Sequence, residues 1–287
     1  MLWVIYALLS AFSFATADAF TKKASDDLDN YVLILSRFLY GAPFVLLLLF
    51  FIPMPKIEMG FWLALIAMLP FEILAWVLYI KAIKSSQISL VLPFLSFTPA
   101  FLVIISFLIL GELPSLMGLF GIFLVVAGAY VLNLKNLNGS ILEPVKSILR
   151  EKGALYMLIV AFLFSITSSL SKILVQKSSP LFSSAAYLSA MALSFLAISF
   201  FASRKNMGQL KTGFKGLLPV GIFYAIMVIF HNLAITLTIV PYMMSIKRTS
   251  SIFSVLYGHF WFKDENIKMR GFGALIMLMG AVLIILS

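Results

Sequence analysis

Lys247 and Arg248 stand side by side near the middle of an apolar run, Ile239 to Glu265, long enough to cross a bilayer as a helix. A cation at the centre of such a helix costs about 2.5–3.5 kcal/mol to insert, so the pair calls for a cavity, a counter-charge or a snorkelling route to the surface. Adjacent helical residues point about 100° apart and cannot share one route, so at least one should face the interior. There a guanidinium offers a two-pronged grip on carboxylate or phosphate, whereas an ammonium is a point charge that tolerates a looser pose. Glu72, Trp76 and Tyr79 are spaced four and three apart, which puts them on one helical face. A carboxyl this deep either pairs with Arg37, Lys247 or Arg248 or takes up a proton. Tyr224 and His231 share another face, and Asn232 follows. The aromatic residues Trp76, Tyr79, Tyr224 and Tyr242 would flank the less polar part of a bound molecule.

Each of these residues also has a plainer reading. Glu72 could be one half of a structural ion pair, His231 a hydrogen bond between helices, and Arg37 a snorkelling side chain about six residues inside its segment. Asp18 lies four residues before Lys22 and reads most simply as a local pair at the membrane edge. Asp26, Asp27 and Asp29 superficially suggest a magnesium–diphosphate site, but no second aspartate cluster accompanies them. HExxH, P-loop and Gly-x-Ser-x-Gly motifs are missing, which removes the usual designs for zinc proteolysis, ATP hydrolysis and serine hydrolysis. No cofactor is expected, and the chain does not read as an enzyme.

The elements that must position these side chains are membrane spans. At 62% hydrophobic and 11% charged, the 287-residue chain lies far outside soluble composition, and it has no cysteine to form a disulfide or bind zinc. Hydropathy gives an all-α integral membrane protein with ten transmembrane helices, at about 2-20, 31-52, 60-80, 88-110, 115-134, 153-174, 181-202, 214-235, 239-262 and 268-286. The longest polar segment divides five spans from five, giving repeats at 1-135 and 153-287 with a connecting loop at 136-152. Superposing Tyr6 on Tyr156 also matches Phe12 with Phe162 and Lys22 with Lys172, and superposing Glu112 on Glu265 matches Gly118 with Gly271. An odd number of spans per half makes the two repeats inverted, an arrangement in which substrate sites lie between the halves near the midplane.

Pro93, Pro99 and Pro241 break or begin spans, and Pro70 matches Pro219 across the halves beside Glu72 and Tyr224. Gly118, Gly121 and Gly128 in span 5, with Gly271, Gly273 and Gly280 in span 10, suit close packing, as scaffold or as a homodimer contact. The net charge of +10 resides mainly in loops and carries no nucleic-acid signal. Nearly all loop Lys and Arg lie in the connections 1-2, 3-4, 5-6, 7-8 and 9-10, against Lys56, Lys172 and Lys177 on the opposite side. The positive-inside rule then puts both termini outside a cell membrane, the cytoplasmic one in a prokaryote.

The stretches SLVLPFLSFTPAFLVIISFLILGELPSLMGLFGIFLVVAGAYVL and SIKRTSSIFSVLYGHFWFKDE resemble the corresponding parts of EamA-type proteins of the drug/metabolite transporter superfamily, and length and span count agree. The resemblance implies a secondary carrier for small metabolites, with Arg37 at an arginine often seen in span 2. Family members usually have cytoplasmic termini, which the charge pattern here reverses. Taken together, the expectation is a transporter that moves a small anionic or zwitterionic metabolite by alternating access. The substrate would be held by Lys247, Arg248, Arg37, Glu72, Trp76, Tyr79, Tyr224, His231, Asn232 and Tyr242. The competing expectation is a flippase or membrane enzyme acting on a lipid-linked or amphiphilic intermediate.

Overall fold

Inside a lipid bilayer the backbone has no water to bond, so a chain this apolar must satisfy its own N–H and C=O groups, and helices do this within each segment. The computed structural model describes residues 1–24, 28–85, 94–132, 152–262 and 267–287, and within these the regular structure is entirely helical. Twelve principal helices run in order: α1 (Leu2–Ala24), α2 (Asn30–Leu39), α3 (Gly41–Leu49), α4 (Met59–Ser85), α5 (Thr98–Leu110), α6 (Leu116–Leu132), α7 (Lys152–Gln176), α8 (Pro180–Ala202), α9 (Phe214–Ile235), α10 (Val240–Lys247), α11 (Ser250–Phe262) and α12 (Ile267–Leu286). Among the described residues, six segments are long and apolar enough to cross a membrane: Leu2–Ala24, Asn30–Leu49, Met59–Ala82, Lys152–Gln176, Pro180–Ala202 and Phe214–Ile235. Shorter apolar helices cover Thr98–Leu110, Leu116–Leu132 and Gly271–Leu286.

Two of the expected segments are not single helices. The second is interrupted at Tyr40, between α2 and α3. The ninth breaks after Lys247, where Arg248 caps α10 and α11 begins at Ser250. Pro70 and Pro219 lie within α4 and α9, which run on past them, while Pro99 and Pro241 stand at helix starts, where a missing N–H has no partner to lose. Pro93, Glu265 and the Asp26–Asp27 pair lie outside the described residues.

The packing repeats itself. α1 lies along α9 as α4 lies along α7, and α5 meets α7 as α1 meets α11. α6 pairs with α12, and α8 with α2. Exchanging each helix for its counterpart five segments away reproduces this set of neighbours.

The pairing of α6 with α12 is a backbone contact. A Cβ added at Gly273 would come within 2.4 Å of the Leu132 nitrogen, and one at Gly128 within 2.5 Å of the Met277 nitrogen, so only glycine permits this approach. These glycine faces therefore meet within one chain. The outer faces of the two helices expose Phe120, Phe123, Leu275 and Met279 instead.

Candidate functional site

α10 carries the cation pair and delivers its two members to different places. From the last turn of α10, Lys247 points its Nζ to within 3.2 Å of His231 Nδ1 on α9 and 5.6 Å from the centre of the Phe14 ring on α1. With the ammonium donating, Nδ1 accepts and the ring hydrogen sits on Nε2. Arg248 turns the other way and donates from Nη2 to Thr98 Oγ1 at 3.2 Å. Its buried Nε has no hydrogen-bond partner among the described residues.

Both residues line a cavity of about 90 Å³, room for several waters. One wall is Glu72 and Trp76 of α4, another is Tyr224, His231 and Asn232 of α9, and a third is the hydroxyl-bearing face of α7 with Thr167, Ser168 and Ser171. α8 adds Ser183 and Tyr187. Glu72 is 8% exposed, and no cation approaches within ion-pair distance of it among the described residues. Its Oε2 accepts instead from the Tyr187 hydroxyl at 3.3 Å, and that hydroxyl lies 3.4 Å from the Tyr224 hydroxyl. The cavity thus holds a carboxylate and two cations that do not touch one another. Asn232 ties its floor together, with Oδ1 accepting from Ser171 at 3.1 Å and Nδ2 donating to Ser184 at 2.9 Å.

Of the residues that the sequence pointed to, the structure brings Lys247, Arg248, Glu72, Trp76, Tyr224, His231 and Asn232 to this cavity. Three others stand outside its lining. Arg37 neither snorkels nor faces the cavity: its Nη2 bonds Asp18 Oδ1 at 2.6 Å and Thr21 Oγ1 at 3.0 Å. Its guanidinium lies 5.2 Å and 5.9 Å from the centres of the Trp76 and Tyr224 rings. This corrects the local Asp18–Lys22 pair, because Asp18 reaches across to the next helix rather than one turn along its own. Tyr79 packs edge-on against Trp76, with centroids 5.6 Å apart. Tyr242 is turned toward α6, where its hydroxyl accepts from the Ser115 N–H at 3.0 Å and donates to Ser115 Oγ at 3.3 Å. A Cβ at Gly118 would fall 2.0 Å from that hydroxyl, so glycine there is what lets Tyr242 in.

Several features of the site had not been singled out from the sequence. Tyr187, the bridge between Glu72 and Tyr224, sits in an apolar helix with no marker of its own. The Thr167, Ser168 and Ser171 face does have a sequence signal, as a cluster of hydroxyls at helical spacing inside a span, which in lipid needs partners. Outside the cavity, buried Lys172 of α7 is paired with Glu112 in the α5–α6 turn.

A bundle of apolar helices enclosing a small charged cavity, drawn from both halves of the chain, is the build of a multi-pass membrane transporter. The sequence model of the EamA-like transporter family matches residues 1–134 and 151–286, and the chain belongs to that family, within the drug/metabolite transporter superfamily. A search among curated proteins gives no match. A solved crystal structure aligns with 99% of this chain and 96% of its own length at a TM-score of 0.79, with 14% identity, a likeness of fold alone.

Proposed function

We propose that the protein is a secondary transporter that moves a small anionic or zwitterionic metabolite by alternating access. The substrate site is the cavity between repeats 1-135 and 153-287, joined by the loop 136-152, with ten crossings in two inverted halves. The observation that carries this reading is the distribution of charge in the cavity: Lys247 and Arg248 on one side, Glu72 with Tyr187 on the other, and no ion pair between them among the described residues. Buried charges are normally paired, so an unpaired set facing a cavity is completed by what the cavity binds. Arg248 Nε and Lys247 Nζ supply donors to an anionic group, and Glu72 receives a cationic one where the substrate has it. The repeated helix pairings support the inverted arrangement, because the pairings of α1 with α9 and of α5 with α7 recur as those of α4 with α7 and of α1 with α11.

Purified protein is screened by thermal shift against small carboxylates, phosphates and zwitterions, since a ligand of the folded state raises its melting point. Hits are then followed by counterflow in liposomes. A hit should drive counterflow, and Lys247→Met and Arg248→Met should each weaken its binding by about 10- to 100-fold, the worth of a charge-assisted hydrogen bond. Full binding by both variants would place the substrate elsewhere. Chemical turnover of the ligand by detergent-solubilised protein would mark an enzyme instead.

A further inference from the structure

The helix that carries the cavity's cations is itself held at its other end by a charge pair that does not line the cavity. α5 ends at Gly111, whose φ of 70° turns the chain sharply and brings Glu112 under the start of α10. One oxygen of Glu112 takes the Lys172 ammonium, and the other accepts the Val240 N–H at 2.8 Å. Lys172 also donates to the Thr238 carbonyl at 2.8 Å. Val240 is the first residue of α10, and the opening N–H groups of a helix lack partners of their own; a carboxylate there satisfies one and also meets the positive end of the helix dipole. The two side chains are only 10% and 12% exposed. On α7, the neighbours of Lys172 at Ser171 and Leu174 line the cavity. Lys247 lies at the far end of α10, about 10 Å from Val240 at 1.5 Å per residue.

We infer that Glu112 and Lys172 are positioning residues that clamp α10 to α7 and the α5–α6 turn, shut the cavity toward this face of the membrane, and must part when it opens there. Glu112 belongs to the first half, whereas Lys172, Thr238 and Val240 belong to the second, so separation of the halves at this face breaks the pair. The same movement releases the first turn of α10 and carries Lys247 and Arg248 with it. That last link rests on the cavity being the substrate site; the closure itself does not.

The chain has no cysteine, so Ser168→Cys puts a single thiol in the cavity wall. The protein is reconstituted in vesicles of both orientations, and a membrane-impermeant maleimide reports access from each face. Glu112→Gln in this background keeps an acceptor for the Val240 N–H and removes the charge. The double variant Glu112→Gln, Lys172→Gln strands no charge and serves where the single variant does not fold. Labelling from the face bearing Thr238 should quicken about ten-fold or more in the folded variants, with no gain from the opposite face. Equal gains from both faces, which a general loosening would give, or labelling no faster than in the parent, would overturn the closure. A wrong assignment of the substrate site would instead show as failed ligand binding with this labelling pattern intact.

Discussion

Among the described residues, four cations lie deep in this bundle, and they fall into two kinds. Lys172 and Arg37 each end on a carboxylate, Glu112 and Asp18 respectively, and each binds a further oxygen, from Thr238 or Thr21. Among the described residues Lys247 meets only a histidine nitrogen and an aromatic ring, and Arg248 a threonine hydroxyl. The first kind holds helices in register: Arg37 ties α2 to α1, and Lys172 ties α7 to the start of α10. The second kind sits on the wall of a cavity whose carboxylate, Glu72, is bound by a tyrosine. Identical chemical groups thus have different roles, decided by whether a counter-charge already stands within reach.

The contrast breaks most readily at Lys172. Lys172→Met strands Glu112, only 12% exposed, and should lower folding stability by about 3–5 kcal/mol, read from denaturation in detergent. Arg37→Met strands Asp18, whose side chain is 29% exposed and keeps some contact with water, so its loss should be smaller, about 1–3 kcal/mol, and Asp18→Asn should recover part of it. If Arg37→Met proved as harmless as a surface change, the aromatic rings and not Asp18 would be what holds the guanidinium.

Lys247→Met should do the opposite. Removing a cation that lacks a counter-charge should leave the melting temperature of the empty protein unchanged or raised, while the response to an anionic ligand falls. A drop in stability comparable to that of Lys172→Met would erase the distinction.

The smallest effect is expected at the exposed pair of Lys177 with Glu58, whose Nζ and Oε2 are 2.7 Å apart. The Lys177 hydrogen bond, aided by its charge, holds the Glu58 carboxyl below its ordinary value of 4.5. A carboxyl with a lowered folded-state pKa contributes stability at neutral pH and loses it only as the pH falls below that ordinary value. Glu58→Gln should therefore leave the melting temperature at pH 7 within experimental error, because exposed pairs contribute little and are screened by salt. Any difference should disappear in acid.

How much of this was legible beforehand depended on the kind of information each feature needs. The candidate cations were conspicuous because Lys247, Arg248 and Arg37 interrupt apolar runs, and the cost of burying charge makes each interruption a statement about its surroundings. Their partners were not legible. Asp18 was matched to Lys22 by helical spacing, but it bonds Arg37, nineteen positions away. Lys172 and Glu112 are sixty positions apart, and Tyr187 meets Glu72 across one hundred and fifteen. Tyr242 shares an apolar segment with the cation pair but faces Ser115, because Gly118 leaves a space there that no local pattern announces.

By itself the sequence determined that the chain is helical and membrane-embedded, that its two halves are related, and that glycine-rich segments would pack closely. These follow from terms local to each segment: the transfer of apolar side chains to lipid, the need to satisfy every backbone group, and the steric freedom of glycine. Tertiary structure alone decided which cations are paired, which way each helix is rotated, and that α10 stops at Lys247, so that its two ends serve a clamp and a cavity. In a soluble helix the apolar stripe would have indicated the buried face, but when lipid covers the outside, both faces are apolar and the stripe is lost. What then fixes the rotation is the contact of one helix with another, and that is written in pairs of residues far apart along the chain.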